Sequence, residues 1–379
     1  MRKALLYFAI VTAAACSATY HTTKSAAAVS QLRLLSQYEV PHNLSFRSTT
    51  VGGLSGIDYD RANDLYYMIC DDRSAINPAR YYAARVIFNG KTIDSVVFTN
   101  VVTLQQRDGA SYPGRKQNPA RTPDPEAMRY NPRAKQMVWS SEGERIIQAK
   151  DTVIADPSIN IISMDGRFID SFPIAANMHM HTTEKGPRQN GVLEGMSFAD
   201  DYRTLYVNVE EPLYEDGPRA ETTPNDAWIR IYRFDVATKK NTAQYAYRLD
   251  PVAYPPITPG AFKVNGVPDI LWLEGNKMIV MERSFSTGRL ACTIKLFLTD
   301  LNQAENIIGN PSLKQTPPAK PLRKKLLLNL DSLNMYIDNV EGMTLGPVLP
   351  NGHQTLVLVA DNNFSAMEKT QFLIFEIIP

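Results

Sequence analysis

Carboxylates recur at matching places along this chain, and carboxylates grouped in that way do one of two kinds of chemistry. Five segments carry the pattern: Ser55-Gly56-Ile57-Asp58-Tyr59, Glu126-Ala127-Met128-Arg129-Tyr130, Glu194-Gly195-Met196-Ser197-Phe198, Asp269-Ile270-Leu271-Trp272-Leu273 and Glu341-Gly342-Met343-Thr344-Leu345. Each is followed by a turn and a second apolar run that ends in a polar cluster. In order, these clusters are Asp71-Asp72-Arg73, Glu142-Gly143-Glu144, Glu210-Glu211, Glu282-Arg283 and Asp361-Asn362-Asn363. Carboxylates brought close together raise one another's pKa or are neutralised by a cation. Hard oxygen ligands with no thiolate among them favour calcium or magnesium, and calcium tolerates irregular many-ligand cages best. The metal-ligand candidates are Glu126, Glu194, Asp269 and Glu341, with Asp71 and Asp361. A purely structural use of the same residues stays open: capping hairpin amides, or pairing with Arg73, Arg145 or Arg283.

The elements that must position these residues are strands. Each unit is about 70 residues and continues with two further strand-like runs. In the first unit these are 81–88 and 92–102, joined by Asn89-Gly90, a strong hairpin signal. The next units supply 159–164 and 167–174, then 228–235 and 242–249, then 293–299 and 322–330. Four antiparallel strands per unit is the blade of a β-propeller, so the expected class is all-β. The fifth unit ends with 371–378, one strand short. The run 32–40 stands alone before the first unit and can complete it, closing the ring and removing its exposed edges. The count is five blades, or six if an insertion hides a degenerate unit. Antiparallel pairing returns the end of each second strand to the mouth where the first strand began. That geometry gathers the acidic residues at one end of the central channel.

Two insertions precede motif strands and carry basic groups. Residues 105–125 hold Arg107, Arg115, Lys116 and Arg121, and residues 177–190 hold His179, His181, Lys185 and Arg188. They are expected to overhang the acidic mouth. A cation with Arg and Lys beside it suits an ester or phosphoester substrate. Glu194, with Glu210 or Glu211 as general base and Arg73, Arg188, Arg283 or Lys185 stabilising negative charge, forms the candidate catalytic set. His179-Met180-His181 is a weak metal pair on its own.

The 379 residues include 40 basic and 39 acidic ones, a net charge of +1 that lacks the basic excess of a nucleic-acid binder. Residues 1–16 read as an export signal, with Arg2 and Lys3 ahead of the apolar run Ala4 to Ala15. Cys16, after Ala13-Ala14-Ala15, stands in the small-residue setting of a bacterial lipoprotein cleavage site, with Ala13 where Leu is usual. Lipidation at Cys16 and ordinary cleavage both remain open. Residues 17–30 read as a Ser, Thr and Ala-rich tether, and 31–379 as the folded domain. An exported monomer is expected: periplasmic, anchored to the outer membrane by lipid, or secreted, with no membrane-spanning segment. Cys70 and Cys292 are read as two buried thiols.

The segments Gly53-Leu54-Ser55-Gly56-Ile57, Asp124-Pro125-Glu126-Ala127-Met128, Leu193-Glu194-Gly195-Met196-Ser197 and Val340-Glu341-Gly342-Met343 resemble the phytase-like family of secreted bacterial proteins, described as having the esterase-like activity of phytase. The resemblance runs from about Leu32 to Ile378. It implies a propeller distantly related to the calcium-dependent β-propeller phytases, and an ester or phosphoester hydrolase. The chain departs from the pattern at Ser55 and at Asp269, which no Gly follows, and it lacks the clustered Lys and Arg that would point to phytate itself. Two other readings stand beside the hydrolase: a non-catalytic propeller that binds a ligand or protein and holds structural calcium, and a lactone or sugar-ester hydrolase.

Overall fold

The structure, a computed structural model, describes residues 29–379. The export signal, Cys16 and most of the tether lie outside the described residues. Five four-stranded antiparallel sheets form the blades of a propeller. From the channel outward, blade 1 is Leu54–Asp60, Leu65–Cys70, Arg80–Phe88 and Ile93–Thr103. Blade 2 is Pro125–Asn131, Gln136–Ser141, Ser158–Ser163 and Phe168–Phe172. Blade 3 is Leu193–Ala199, Thr204–Val209, Trp228–Asp235 and Asn241–Arg248. Blade 4 is Lys263–Leu273, Lys277–Ser286, Thr293–Asp300 and Lys324–Asn329. Blade 5 takes Asn339–Val348, Gln354–Asp361 and Thr370–Ile378 from the end of the chain and Gln31–Val40 from its start. That last strand pairs Gln31 with Ile378 and Val40 with Thr370, so the ring is closed as the lone N-terminal run implies. No helix among the described residues is long and apolar enough to cross a membrane.

Blade faces pack on one another, so second strands are buried on both sides. All six residues of Thr204–Val209 are buried. Blades 2 and 3 meet through Phe172 and Phe234, whose rings lie 5.7 Å apart edge to face. Outer strands alternate instead, as Gln31–Val40 does, because one face meets solvent. Cys70 and Cys292 are free and buried.

The inner strands follow one another around the channel in blade order. Every one of them carries a register shift at its motif: between Leu54 and Gly56, Pro125 and Met128, Leu193 and Gly195, Gly266 and Asp269, and Val340 and Gly342. These are β-bulges, which insert unpaired residues and re-aim side chains. The glycine that follows the acidic position is steric in origin. A Cβ on Gly56 would lie 2.7 Å from the Glu126 carbonyl oxygen, and one on Gly195 would lie 2.6 Å from the Asp269 Cα. Neighbouring inner strands approach that closely only where one of them has no side chain.

Candidate active site at the acidic mouth

The bulges define two rings of residues at one mouth. The motif position supplies Ser55, Glu126, Glu194, Pro268 and Glu341. The residue just beyond the second strand's pairing supplies Asp71, Glu142 and Glu210, whose amides bond the carbonyls of Gly53, Asp124 and Val192, at 2.8, 3.1 and 2.8 Å. Asp361, opposite Asn339, and Arg283, opposite Gly266, hold the matching places in blades 5 and 4. Seven carboxylates and one guanidinium therefore converge. They line a cavity of about 610 Å³ together with Glu211, Arg219, Gln189 and Asn190, except for Asp361, which is fully buried.

Compensation is uneven around this mouth. Arg283 bonds Glu341 Oε1 at 2.5 Å, Glu210 Oε1 at 2.6 Å and Asn339 Oδ1 at 2.5 Å. Glu341, Glu210 and Glu194 hold that guanidinium charged against its burial. Arg73 pairs with Asp124 at 3.2 Å and Glu144 at 2.5 Å, and Arg219 with Glu211 at 2.8 Å. Asp71, Glu126, Glu142, Glu194 and Asp361 have no Arg or Lys within ion-pair distance among the described residues. Burial, then the repulsion of Glu194, pushes Glu126 well above the carboxylate range, and burial with Glu142 does the same to Glu194. Burial and neighbouring carboxylates push Asp71 and Glu142 up to about 8. Burial and Glu210 raise Glu211 to about 7 against the pull of Arg219. Asp124 is lifted by burial, restrained by Arg73, and reaches about 6.

The residues present fit a divalent cation. Asp124, Glu126 and Glu142 place one carboxylate oxygen each within 4.8 Å of one another. Both oxygens of Asp361 and Oε1 of Glu144 are buried without a hydrogen-bond partner, a costly state for acceptor-only groups. Asp124 does not stand out in the repeat, because the matching places hold Gly53, Val192, Gly266 and Asn339. Its only sequence signal is its position two residues before Glu126.

Several candidates lie elsewhere. Asp269 is one residue past the motif position and points into the middle of the channel. Arg129 Nη2 bonds both its oxygens at 2.7 Å, while Nη1 bonds the Ile57 carbonyl at 2.7 Å. The pair plugs the channel, and Asp269 is no ligand of the mouth. Arg188 is spent on the carbonyls of Pro212 and Gly217, both at 2.9 Å, and on the Tyr214 ring, so it holds a loop and does not face the cavity. Glu282 serves Tyr247, Asn265, Lys324 and the Asp250 amide, and Asp72 serves Arg80 and the 75–77 turn. Of the two insertions, 177–190 gives Gln189 and Asn190 to the cavity, and 105–125 gives it no lining residue. His179 Nδ1 meets Asp156 at 2.7 Å, and neither His179 nor His181 lines the cavity. Glu126, Glu194, Glu341, Asp71, Asp361, Glu210, Glu211 and Arg283 do converge, and Arg73 stands behind Asp124.

The phytase-like family model, described as esterase-like activity of phytase, matches residues 49–364. The chain belongs to this family. The match takes in the complete inner-strand set of the phytase-like chain, with both carboxylate rings. No curated protein matches it. Among solved structures, it is similar to an exo-β-1,3-galactanase from Phanerochaete chrysosporium at 10% identity, with a TM-score of 0.45, over 90% of this chain and 64% of that one. It is also similar to the periplasmic gluconolactonase of Pseudomonas aeruginosa at 11% identity, with a TM-score of 0.37, over 88% and 91% of the two chains. An α-L-arabinofuranosidase from Lactobacillus brevis gives 9% identity and a TM-score of 0.45 over 86% and 91%. Likenesses this remote carry nothing about the chemistry of this mouth.

Proposed function

We propose that this chain is a hydrolase of a phosphoester or other ester, working at the acidic mouth with calcium held by Asp124, Glu126 and Glu142. The carrying observation is that Asp124, Glu126 and Glu142 bring one carboxylate oxygen each within 4.8 Å of one another, with no Arg or Lys paired to Glu126 or Glu142 among the described residues. Family membership supports the same reaction class. Calcium bound there supplies Lewis acidity toward a phosphoryl or carbonyl oxygen. Glu211, near neutral in its titration, accepts a proton from the attacking water. The water oxygen bonds to phosphorus or to the acyl carbon, the bond to the alcohol oxygen breaks, and the departing oxygen is protonated. A neighbouring carboxyl such as Glu194, whose affinity for a proton is raised by burial and by Glu142, is the proton donor. Arg283, fixed between Glu210 and Glu341, faces the negative charge that develops. Export, with or without lipidation at Cys16, places this activity outside the cytoplasm.

Hydrolysis of an aryl phosphate and an aryl ester, with calcium and with chelator, tests this reading. Calcium-dependent turnover is expected, with Glu194→Gln losing about 100-fold or more while remaining folded. Absence of turnover on both substrates, with calcium raising only the melting temperature, would replace it with a binding propeller.

A further inference from the structure

One side of the acidic mouth is apolar. Blade 4 contributes Phe262, Val264, Phe285 and Leu290 to the same cavity as the carboxylates. Phe262 and Leu290 are 57% and 72% exposed, and Ile257, 73% exposed, lies beside the loop at Gly288. Large side chains exposed this far and grouped at the edge of a cavity mark a contact surface rather than scattered surface residues. The surface is held in place. Thr287 donates its amide to the Phe262 carbonyl at 2.9 Å and accepts the Ile257 amide at 3.1 Å, and its hydroxyl bonds the Phe262 carbonyl at 2.9 Å. Phe262 and Phe285 meet with ring centroids 6.3 Å apart and their planes tilted by 40°, and the Arg289 guanidinium lies 3.8 Å over the Tyr254 ring.

The polar side of the cavity has little to offer a polyanion. Its lining cations are Arg219 and Arg283, and both are already paired with carboxylates of the mouth. A bound cation accommodates one anionic or ester group. Each additional phosphate would meet Glu194, Glu210, Glu341 or Asp71 with no free guanidinium or ammonium of the lining to receive it.

We infer that the substrate is a monoester bearing an aryl group, with its ester at the carboxylate side and its apolar group on Phe262, Phe285 and Leu290. This rests on the hydrolase reading for the identity of the polar group, while the apolar contact is independent of turnover. Covering one such group on this surface is worth roughly a 30-fold gain in affinity.

The test is calorimetric titration of the calcium-loaded chain with phenylphosphonate, methylphosphonate and inorganic triphosphate, for the wild type and for Phe262→Ser/Leu290→Ser. Both side chains are largely exposed, so the variant keeps its core. Phenylphosphonate is expected to bind about 30-fold more tightly than methylphosphonate. In the variant that ratio is expected to fall to about threefold or less, with methylphosphonate unchanged. No preference in the wild type, including no measurable binding of either phosphonate, overturns the inference. So does a preference that survives in the variant, or tighter binding of triphosphate. A preference without any ester turnover would remove the hydrolase reading and leave only the apolar contact standing; turnover without a preference would keep the hydrolase reading and overturn the contact.

Discussion

Asp269 and Asp361 are both aspartates sealed inside the ring, and they live by opposite rules. Asp269 is held by two 2.7 Å contacts from Arg129 Nη2 and by the Met343 and Ile270 amides at 2.8 and 2.9 Å. Burial raises it only to about 6 because Arg129 opposes the shift. Asp361 has no cationic or side-chain partner on either oxygen, and burial with Asp71 and Glu341 drives it well above the carboxylate range against a pull from the Asn363 amide. A buried charge that the fold has already compensated is scaffolding. A group of buried carboxylates that the fold leaves uncompensated is set up for a cation or a proton from outside. The mid-channel plug and the mouth therefore divide the work: one ties together the inner strands of blades 1, 2, 4 and 5, the other stays electrically unfinished.

The largest effect expected from breaking this contrast is at the plug. Arg129→Met leaves Asp269 buried without a partner and is expected to cost about 3–5 kcal/mol, read as a lowered denaturation midpoint with calcium present or absent. A loss below about 1 kcal/mol would mean that Asp269 is not the compensated residue of the pair.

The next effect is the pH dependence of the calcium-free chain. Asp71 and Glu142 titrate near 8 and Glu211 near 7 when folded, against about 4 when unfolded. Over that interval the folded chain binds protons that the unfolded chain does not, so stability falls as pH rises from about 4 to about 8. Melting temperature in chelator is expected to drop by at least about 5 °C between pH 5 and pH 8. Saturating calcium should flatten the slope, because the cation replaces the protons. A slope of opposite sign would show that the carboxylates are compensated within the protein.

The smallest effect is expected at the unpartnered residue itself. Asp361→Asn removes a carboxyl whose ionisation is opposed by burial and by Asp71 and Glu341. In chelator its stabilising effect should grow as pH rises, to about 1 kcal/mol at the alkaline end. The calcium-induced rise in melting temperature should be retained in the same variant, because Asp124, Glu126 and Glu142 belong to blade 2. A calcium response lost with Asp361 would move the cation to blades 5 and 1.

Most of the architecture was legible because a propeller writes itself into the sequence as period, turn chemistry and strand patterning. The run that closes the ring was readable from its isolation, and it occupies Gln31–Val40 beside Thr370–Ile378. The phytase-like motifs were readable for a steric reason as well. In blades 1 and 3 a glycine follows the motif residue, Ser55 or Glu194, because a Cβ at Gly56 or Gly195 would lie only 2.6–2.7 Å from the backbone of the next inner strand. The converging set Glu126, Glu194, Glu341, Asp71, Asp361, Glu210 and Glu211 followed from where the strands begin and end. Asp124 did not, because it has no acidic counterpart in the other blades.

What the sequence by itself determined was the propeller class, a count of five blades with six left open, and the gathering of acidic residues at one mouth; the structure fixed the count at five. The tertiary structure alone decided which side chains reach that mouth. Blade 4 shows why: its bulge runs between Gly266 and Asp269, where blade 3 shifts between Leu193 and Gly195. The pairing places Arg283, not Glu282, at the mouth, and Asp269 one step past the motif position. A slip of one residue turns a strand's side chains to the other face, and a bulge introduces such a slip without changing composition or period. Alignment of residue types by eye assigns Asp269 and Glu282 to the acidic set; hydrogen-bond register sends Asp269 to Arg129 and Glu282 to Tyr247 and Lys324.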